Sequence, residues 1–225
     1  MSPSGIAGAA TRPGAEWIDC VAMVRPRRYR TLSYGMGRAA TRGAGMKVVL
    51  LCHGVTASMR TGGFPAVDEP VEGAARPFGR FDRVAVSPAR VAQDTAALLC
   101  AAPVVVAALR DIDHGRWTGR SFADVHADAP DALTDWLARP WLGTPEGEDF
   151  AAVCARVDGW IGGLADAELP EAVVTHPMVI RAILAVTIGI AVEPVMRINV
   201  APLSSVVLSR HRGWRLQQIG GRLEG

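Results

Sequence analysis

Two histidines stand where two apolar runs end. His53 follows Val48-Val49-Leu50-Leu51-Cys52 and precedes Gly54-Val55-Thr56, while His176 follows Val173-Val174-Thr175 and precedes Pro177-Met178-Val179. A buried strand that ends in histidine and then turns sets an imidazole at the carboxyl edge of a parallel sheet. That edge is where open α/β sheets bind ligands. A neutral imidazole is a competent nucleophile and proton carrier near pH 7. The chain between the two histidines carries the acidic stretch Asp111-Ile112-Asp113. Two such histidines with an acidic stretch between them suggest chemistry that needs one imidazole to react and another to assist.

The elements that must position these groups follow from period and punctuation. Met46–Cys52 is a continuous apolar, β-branched run of the fully buried strand type. Phe81–Val86, Val104–Ala108 and Ala172–Thr175 are predicted as further strands, and residues 53–80, with Gly62-Gly63, Pro65, Pro70 and Pro77, as a loop. Ser87 as N-cap and Pro88 at the first helical position predict a helix to about Leu99. Short helices are expected over Ser121–His126 and Asp131–Leu137. The spacing of Phe150, Val153, Cys154, Val157, Trp160 and Ile161 predicts an amphipathic helix over Asp149–Leu164. Pro177–Ile190 reads as a helix, and Ser205–Ser209 with Trp214–Ile219 as a closing hairpin around Arg212-Gly213. Strands alternating with helices predict an α/β fold whose mainly parallel sheet is covered on both faces.

Composition bounds the function. The chain has 225 residues, 49% hydrophobic and 20% charged. Residues 1–45 carry seven arginines against Glu16 and Asp19, which leaves 17 basic and 20 acidic residues in the remainder. The folded part is therefore no basic nucleic-acid binder. Residues 1–45 lack any period and are expected to be a disordered extension, with one domain over 46–225 opening at Met46. Cys20, Cys52, Cys100 and Cys154 show no metal-ligand spacing and read as reduced residues of a cytoplasmic protein. The longest apolar run, Ile183 to Val192, is too short to span a membrane.

Five stretches, in order, resemble one family. The strand-His53-Gly54-x-Thr56 opening is similar to that of the histidine phosphatase superfamily, which includes the phosphoglycerate mutases. Ser87-Pro88-Ala89-Arg90 with Gln93-Asp94-Thr95-Ala96 resembles its Ser-Pro-x-x-Arg helix start. Leu109-Arg110-Asp111 with Gly115-Arg116-Trp117-Thr118-Gly119 resembles its acid loop, and Pro145-Glu146-Gly147-Glu148-Asp149 its Pro-Gly-Gly-Glu-Ser segment. Thr175-His176 with Val179-Ile180-Arg181 resembles the second-histidine motif. The resemblance implies a three-layer α/β/α sandwich and a small bacterial phosphatase. Its phosphohistidine intermediate would form on His53, with Asp111 as general acid and His176 as assisting imidazole. It implies Gly54, Thr56, Arg60 and Arg90 around a small phosphorylated substrate, with no metal or other cofactor and no nucleic-acid or membrane partner. A homodimer is compatible with it.

The sequence departs from that pattern at the arginines. The family places one directly before the first histidine, where this chain has Cys52, and a second at the position of Val91, next to Arg90. Each guanidinium is a bidentate phosphate clamp. Arg60, Arg80 or Arg181 are the candidates to replace them, and restoring an arginine at Cys52 is expected to raise turnover about tenfold. Pro177 replaces a family glycine. The loss leaves a second reading open, a catalytically weak or inactive member that acts as an anion-binding or regulatory module. A third, a cysteine-based phosphatase using Cys52, lacks the Gly- and Arg-rich loop that chemistry needs. His114 is expected to pack, His126 and His211 to lie on the surface, Trp117, Trp136 and Trp160 to fill core, and Glu148 to start its helix.

Overall fold

A computed structural model describes residues 46–73 and 79–222. The expectations for residues 1–45, Cys20 and Pro77 lie outside them. The strands are β1 (Met46–Cys52), β2 (Val84–Val86), β3 (Val104–Val105), β4 (Ala172–Thr175), β5 (Ser204–Arg210) and β6 (Trp214–Arg222). They form one sheet in the order β3-β2-β4-β1-β5-β6. The first four run parallel, and β5 pairs antiparallel with both β1 and β6. The near-continuous apolar composition of β1 and β4 follows from their place in the middle of the sheet.

Strand period divides the side chains between two faces. Val48, Leu50, Cys52, Ala85, Val173, Val206 and Leu208 face one core, and Leu51, Val84, Val86, Ala172 and Val174 face the other. The first core is closed by α5 (Phe150–Gly162) and α6 (Pro177–Ile188), the second by α2 (Arg90–Ala96). Helix α5 starts where the Asp149 carboxylate accepts the Ala152 N–H at 2.8 Å, and it buries Phe150, Val153, Val157 and Ile161 along one stripe. Helix α6 has Pro177 at its first position and ends at Gly189, whose φ of 69° is left-handed. Ile180, Ile183 and Leu184 of α6 are wholly buried, each worth about 1.5–3 kcal/mol of burial. The result is the three-layer α/β/α sandwich, as the alternation of elements predicts.

Several boundaries differ from the sequence expectation. Strand β2 begins at Val84 because Phe81 donates instead to the Leu99 carbonyl and Asp82 to Glu171 Oε2. Strand β3 stops at Val105, and residues 107–109 turn as a short 3₁₀ segment. Helix α2 starts after Ala89, two residues later than the Ser87-Pro88 signal places it. Residues 53–80 contain a short helix, α1 (Ala57–Thr61), capped by Thr56. The two short helices are α3 (Phe122–Asp128), capped by Ser121, and α4 (Pro130–Ala138). A further helix, α7 (Val192–Met196), holds Pro194 in its first turn, where no intrahelical N–H is lost.

Candidate active site

Sheet register brings the two histidines together. Cys52 pairs with Thr175 across β1 and β4, so the next residues, His53 and His176, leave the same carboxyl edge side by side. The His53 N–H donates to the Thr175 carbonyl at 3.0 Å. The two rings meet edge to face with centroids 4.8 Å apart. Val86 of β2 pairs with Val174, which sets Ser87 at the same edge on the other side of His176.

Hydrogen bonds hold both rings. His53 Nδ1 lies 2.7 Å from the Gly54 carbonyl, which can only accept, so Nδ1 carries a proton and the neutral form of the ring has its lone pair on Nε2. Gly54 is fixed in turn, since its N–H donates to Thr95 Oγ1 at 3.0 Å. An added Cβ there would meet Val71 at 3.1 Å. His176 Nε2 lies 2.8 Å from Ser87 Oγ. The Ala89 N–H also donates to that hydroxyl oxygen at 3.2 Å, which leaves Ser87 its proton and a second lone pair for the imidazole. Nδ1 is buried, 3.3 Å from Asp111 Oδ2 but not aligned for a hydrogen bond, and has no partner. Burial pushes the His176 pKa down to about 4, against the opposing pull of Asp111, so the ring is neutral at pH 7.

Asp111 is held from behind. Thr175 Oγ1 donates to the Leu109 carbonyl at 2.7 Å, and Arg156 Nη2 to the Asp111 carbonyl at 3.1 Å. The carboxylate accepts the Ile112 N–H at 2.8 Å. Arg156, on α5, also grips Glu148 through Nε and Nη2 at 2.8 and 3.0 Å. Glu148 therefore does more than start its helix: it ties α5 to the acid loop. Sequence reading passed over Arg156; its one signal is its place two helical turns beyond Glu148.

These groups open on a cavity of about 720 Å³ lined by His53, Thr56, Asp111 and His176, with Arg110 and Arg181 as its arginines among the described residues. Met59, Val67, Ile112, Trp136, Met178 and Met196 form apolar parts of its wall. Thr56 is buried and caps α1 by accepting the Met59 N–H at 3.4 Å. Arg60 and Arg90 are not brought to this wall. Arg60 pairs with Glu72 at 2.7 Å, and Arg90 lies 3.8 and 3.9 Å from Asp94 and Asp68, both side chains more than half exposed. Val91 lines the cavity where the neighbouring Arg90 turns outward, a consequence of the helical offset between adjacent residues. Arg80 is exposed. Of the three candidate replacements only Arg181 lines the cavity. Its Nε and Nη2 donate to the Ile198 carbonyl at 3.2 and 3.0 Å, and no carboxylate pairs with it among the described residues.

The remaining residues divide cleanly. Cys52 is wholly buried in the first core, and burial drives its thiol pKa far up, which removes the thiolate a cysteine nucleophile needs. Cys100 and Cys154 are half-buried free thiols. His114 packs edge-on to Phe64 at 5.0 Å in an aromatic cluster with Trp117 and Trp136, and burial lowers its pKa. His126 and His211 are exposed. Among the described residues no group of three His, Cys, Asp or Glu side chains is placed to hold a metal ion, and no helix is long and apolar enough to cross a membrane.

Comparison with known proteins places the fold. The family model described as histidine phosphatase superfamily (branch 1) matches residues 72–220, a span that begins after His53. An α-ribazole phosphatase from Shigella flexneri superposes with a TM-score of 0.66 at 21% identity, covering 80% of this chain and 98% of that one. A mycobacterial hydrolase gives 0.65 at 23%, covering 79% and 99%. A mycobacterial glucosyl-3-phosphoglycerate phosphatase, solved with VO3, gives 0.63 at 23%, covering 78% and 99%. No curated protein matches the sequence.

Proposed function

The chain belongs to the histidine phosphatase superfamily, and from that premise we propose that it hydrolyses phosphate monoesters through a phosphohistidine on His53. The observation that carries the reading is the pair of imidazoles on one cavity: His53, whose Nδ1 bonds the Gly54 carbonyl and leaves Nε2 for phosphorus, and His176, whose Nδ1 has no hydrogen-bond partner among the described residues. His53 Nε2 attacks phosphorus while the Gly54 carbonyl holds the ring. The ester P–O bond breaks, and the Asp111 carboxyl delivers a proton to the leaving oxygen. In the second half, the Asp111 carboxylate takes a proton from water, the oxygen attacks phosphorus, and phosphate leaves with its electron pair returned to Nε2. His176 Nδ1–H and the Arg181 guanidinium stabilise the charge spread over the equatorial oxygens. A neutral His176 serves because it donates without competing for the proton that Asp111 must supply. The substrate is a small phosphorylated metabolite, and the free thiols support a reducing, cytoplasmic setting.

A second reading, an anion-binding module with little turnover, is favoured by the same departures as before: Cys52 and Val91 carry no charge, and Arg60 and Arg90 stand away from the cavity. Steady-state hydrolysis of p-nitrophenyl phosphate by the parent and by His53→Ala separates the two. The enzyme reading expects turnover that vanishes in a folded variant. The module reading expects phosphate binding with no turnover in either.

A further inference from the structure

Two guanidinium groups converge on Glu148. Its carboxylate is nearly buried, with 11% of the side chain exposed. Arg156, exposed to a similar 12%, holds it through two hydrogen bonds and donates two more to the Ala108 and Asp111 carbonyls. That pair is complete without help. Arg110 adds one bond, Nη2 to Oε1 at 2.9 Å, from a side chain that is 49% exposed and lines the cavity. Of the two guanidinium groups on this carboxylate, Arg110 is thus the exposed, singly bonded one. A single ion pair of a half-exposed arginine is held weakly.

We propose that Arg110 is a phosphate-binding arm: it exchanges its bond to Glu148 for a bond to a phosphoryl oxygen and supplies a guanidinium that Cys52 and Val91 do not. The inference rests on the phosphatase reading and deepens it. Three observations select Arg110 from the arginines of the chain. It is one of two that line the cavity among the described residues, and the other, Arg181, has two of its donor groups committed to the Ile198 carbonyl. It directly precedes Asp111, so the arm and the acid share one backbone segment, which Arg156 and Thr175 hold in place. Releasing it leaves no buried charge unpaired, because Arg156 still neutralises Glu148. An arginine fork suits the task, since it meets two phosphate oxygens at once.

The test uses the full chain with inorganic phosphate and orthovanadate as competitive inhibitors of p-nitrophenyl phosphate hydrolysis. It compares the parent with Arg110→Met and Arg110→Lys. Loss of a charge-assisted contact is expected to weaken both inhibitors and raise KM about tenfold to hundredfold in the methionine variant, with partial recovery in the lysine variant. The melting temperature is expected to stay close to the parent's, because the buried Glu148–Arg156 pair is intact. Unchanged inhibition constants in a folded Arg110→Met variant overturn the arm while leaving the phosphatase reading standing. A parent that neither hydrolyses the ester nor binds phosphate by calorimetry overturns both, and the two failures are told apart by the parent alone.

Discussion

Acid weakens this fold through His176, and the size of the effect follows from its surroundings. The ring is wholly enclosed at the sheet edge, and burial holds its pKa at about 4 against an ordinary 6.5. Between those values the unfolded chain takes up a proton on this imidazole and the folded chain does not. The unfolded state then binds more protons, so stability falls as pH falls. The contribution is fully present above the ordinary histidine value and is lost progressively down to the folded one. At 1.36 kcal/mol per pH unit the window is worth about 3 kcal/mol, a large part of the roughly 5–15 kcal/mol that a domain has. Other titrating groups contribute as well, so the assay is a difference. Urea unfolding of the parent and of His176→Gln is followed from pH 7.5 to pH 4. The parent is expected to lose about 3 kcal/mol more than the variant over that range, with parallel behaviour above pH 7. Parallel curves throughout would refute a His176 that stays neutral in the folded protein.

Three further outcomes follow from the same geometry. Asp111→Asn removes the proton donor, so phosphoenzyme formation from an alkyl phosphate, a poor leaving group, should slow about 10²–10⁴-fold while formation from p-nitrophenyl phosphate slows much less; equal losses on both esters in this first step would contradict a general acid. Arg156→Met leaves Glu148 nearly buried with a single exposed partner and is expected to cost about 3–5 kcal/mol in urea unfolding, whereas Arg110→Met should cost under about 1 kcal/mol. Cys52→Arg, a gain of function on sequence grounds, is recast by the structure: Cys52 has no exposed surface, so overpacking and the burial of a guanidinium should lower stability by at least about 1–3 kcal/mol, read as a fall in the urea midpoint.

The parts of the site that depend on strand ends were legible in the sequence. His53 and His176 each close an apolar run, and the same register that makes β1 and β4 neighbours makes their next residues neighbours too. The amphipathic helix α5 and the proline-initiated α6 were legible for a similar reason, since period and caps are local signals. What failed to show is what depends on reach across the fold. Ser87 looks like a helix cap in sequence, but its hydroxyl serves His176, 89 residues away, and the helix starts later. Arg60 and Arg90 have the right charge and nearly the right place, yet local carboxylates hold them outside the cavity. Arg156 carries only its spacing from Glu148 and Arg110 no signal of its own, because their meaning lies in a shared partner, Glu148, fixed only by tertiary packing.

The measurement that bears most directly on the account is a chemical trap of the phosphoenzyme. The protein is mixed with a ³²P-labelled monoester, quenched in alkali, and the label is mapped to a peptide. Nucleophilic attack by His53 Nε2 requires a label that is stable in base, labile in acid, confined to the peptide holding His53 and absent from His53→Ala. Asp111→Asn should retain more of it, since the carboxylate that activates water is gone. A label on any other residue, or undiminished hydrolysis in a folded His53→Ala variant, would contradict the account.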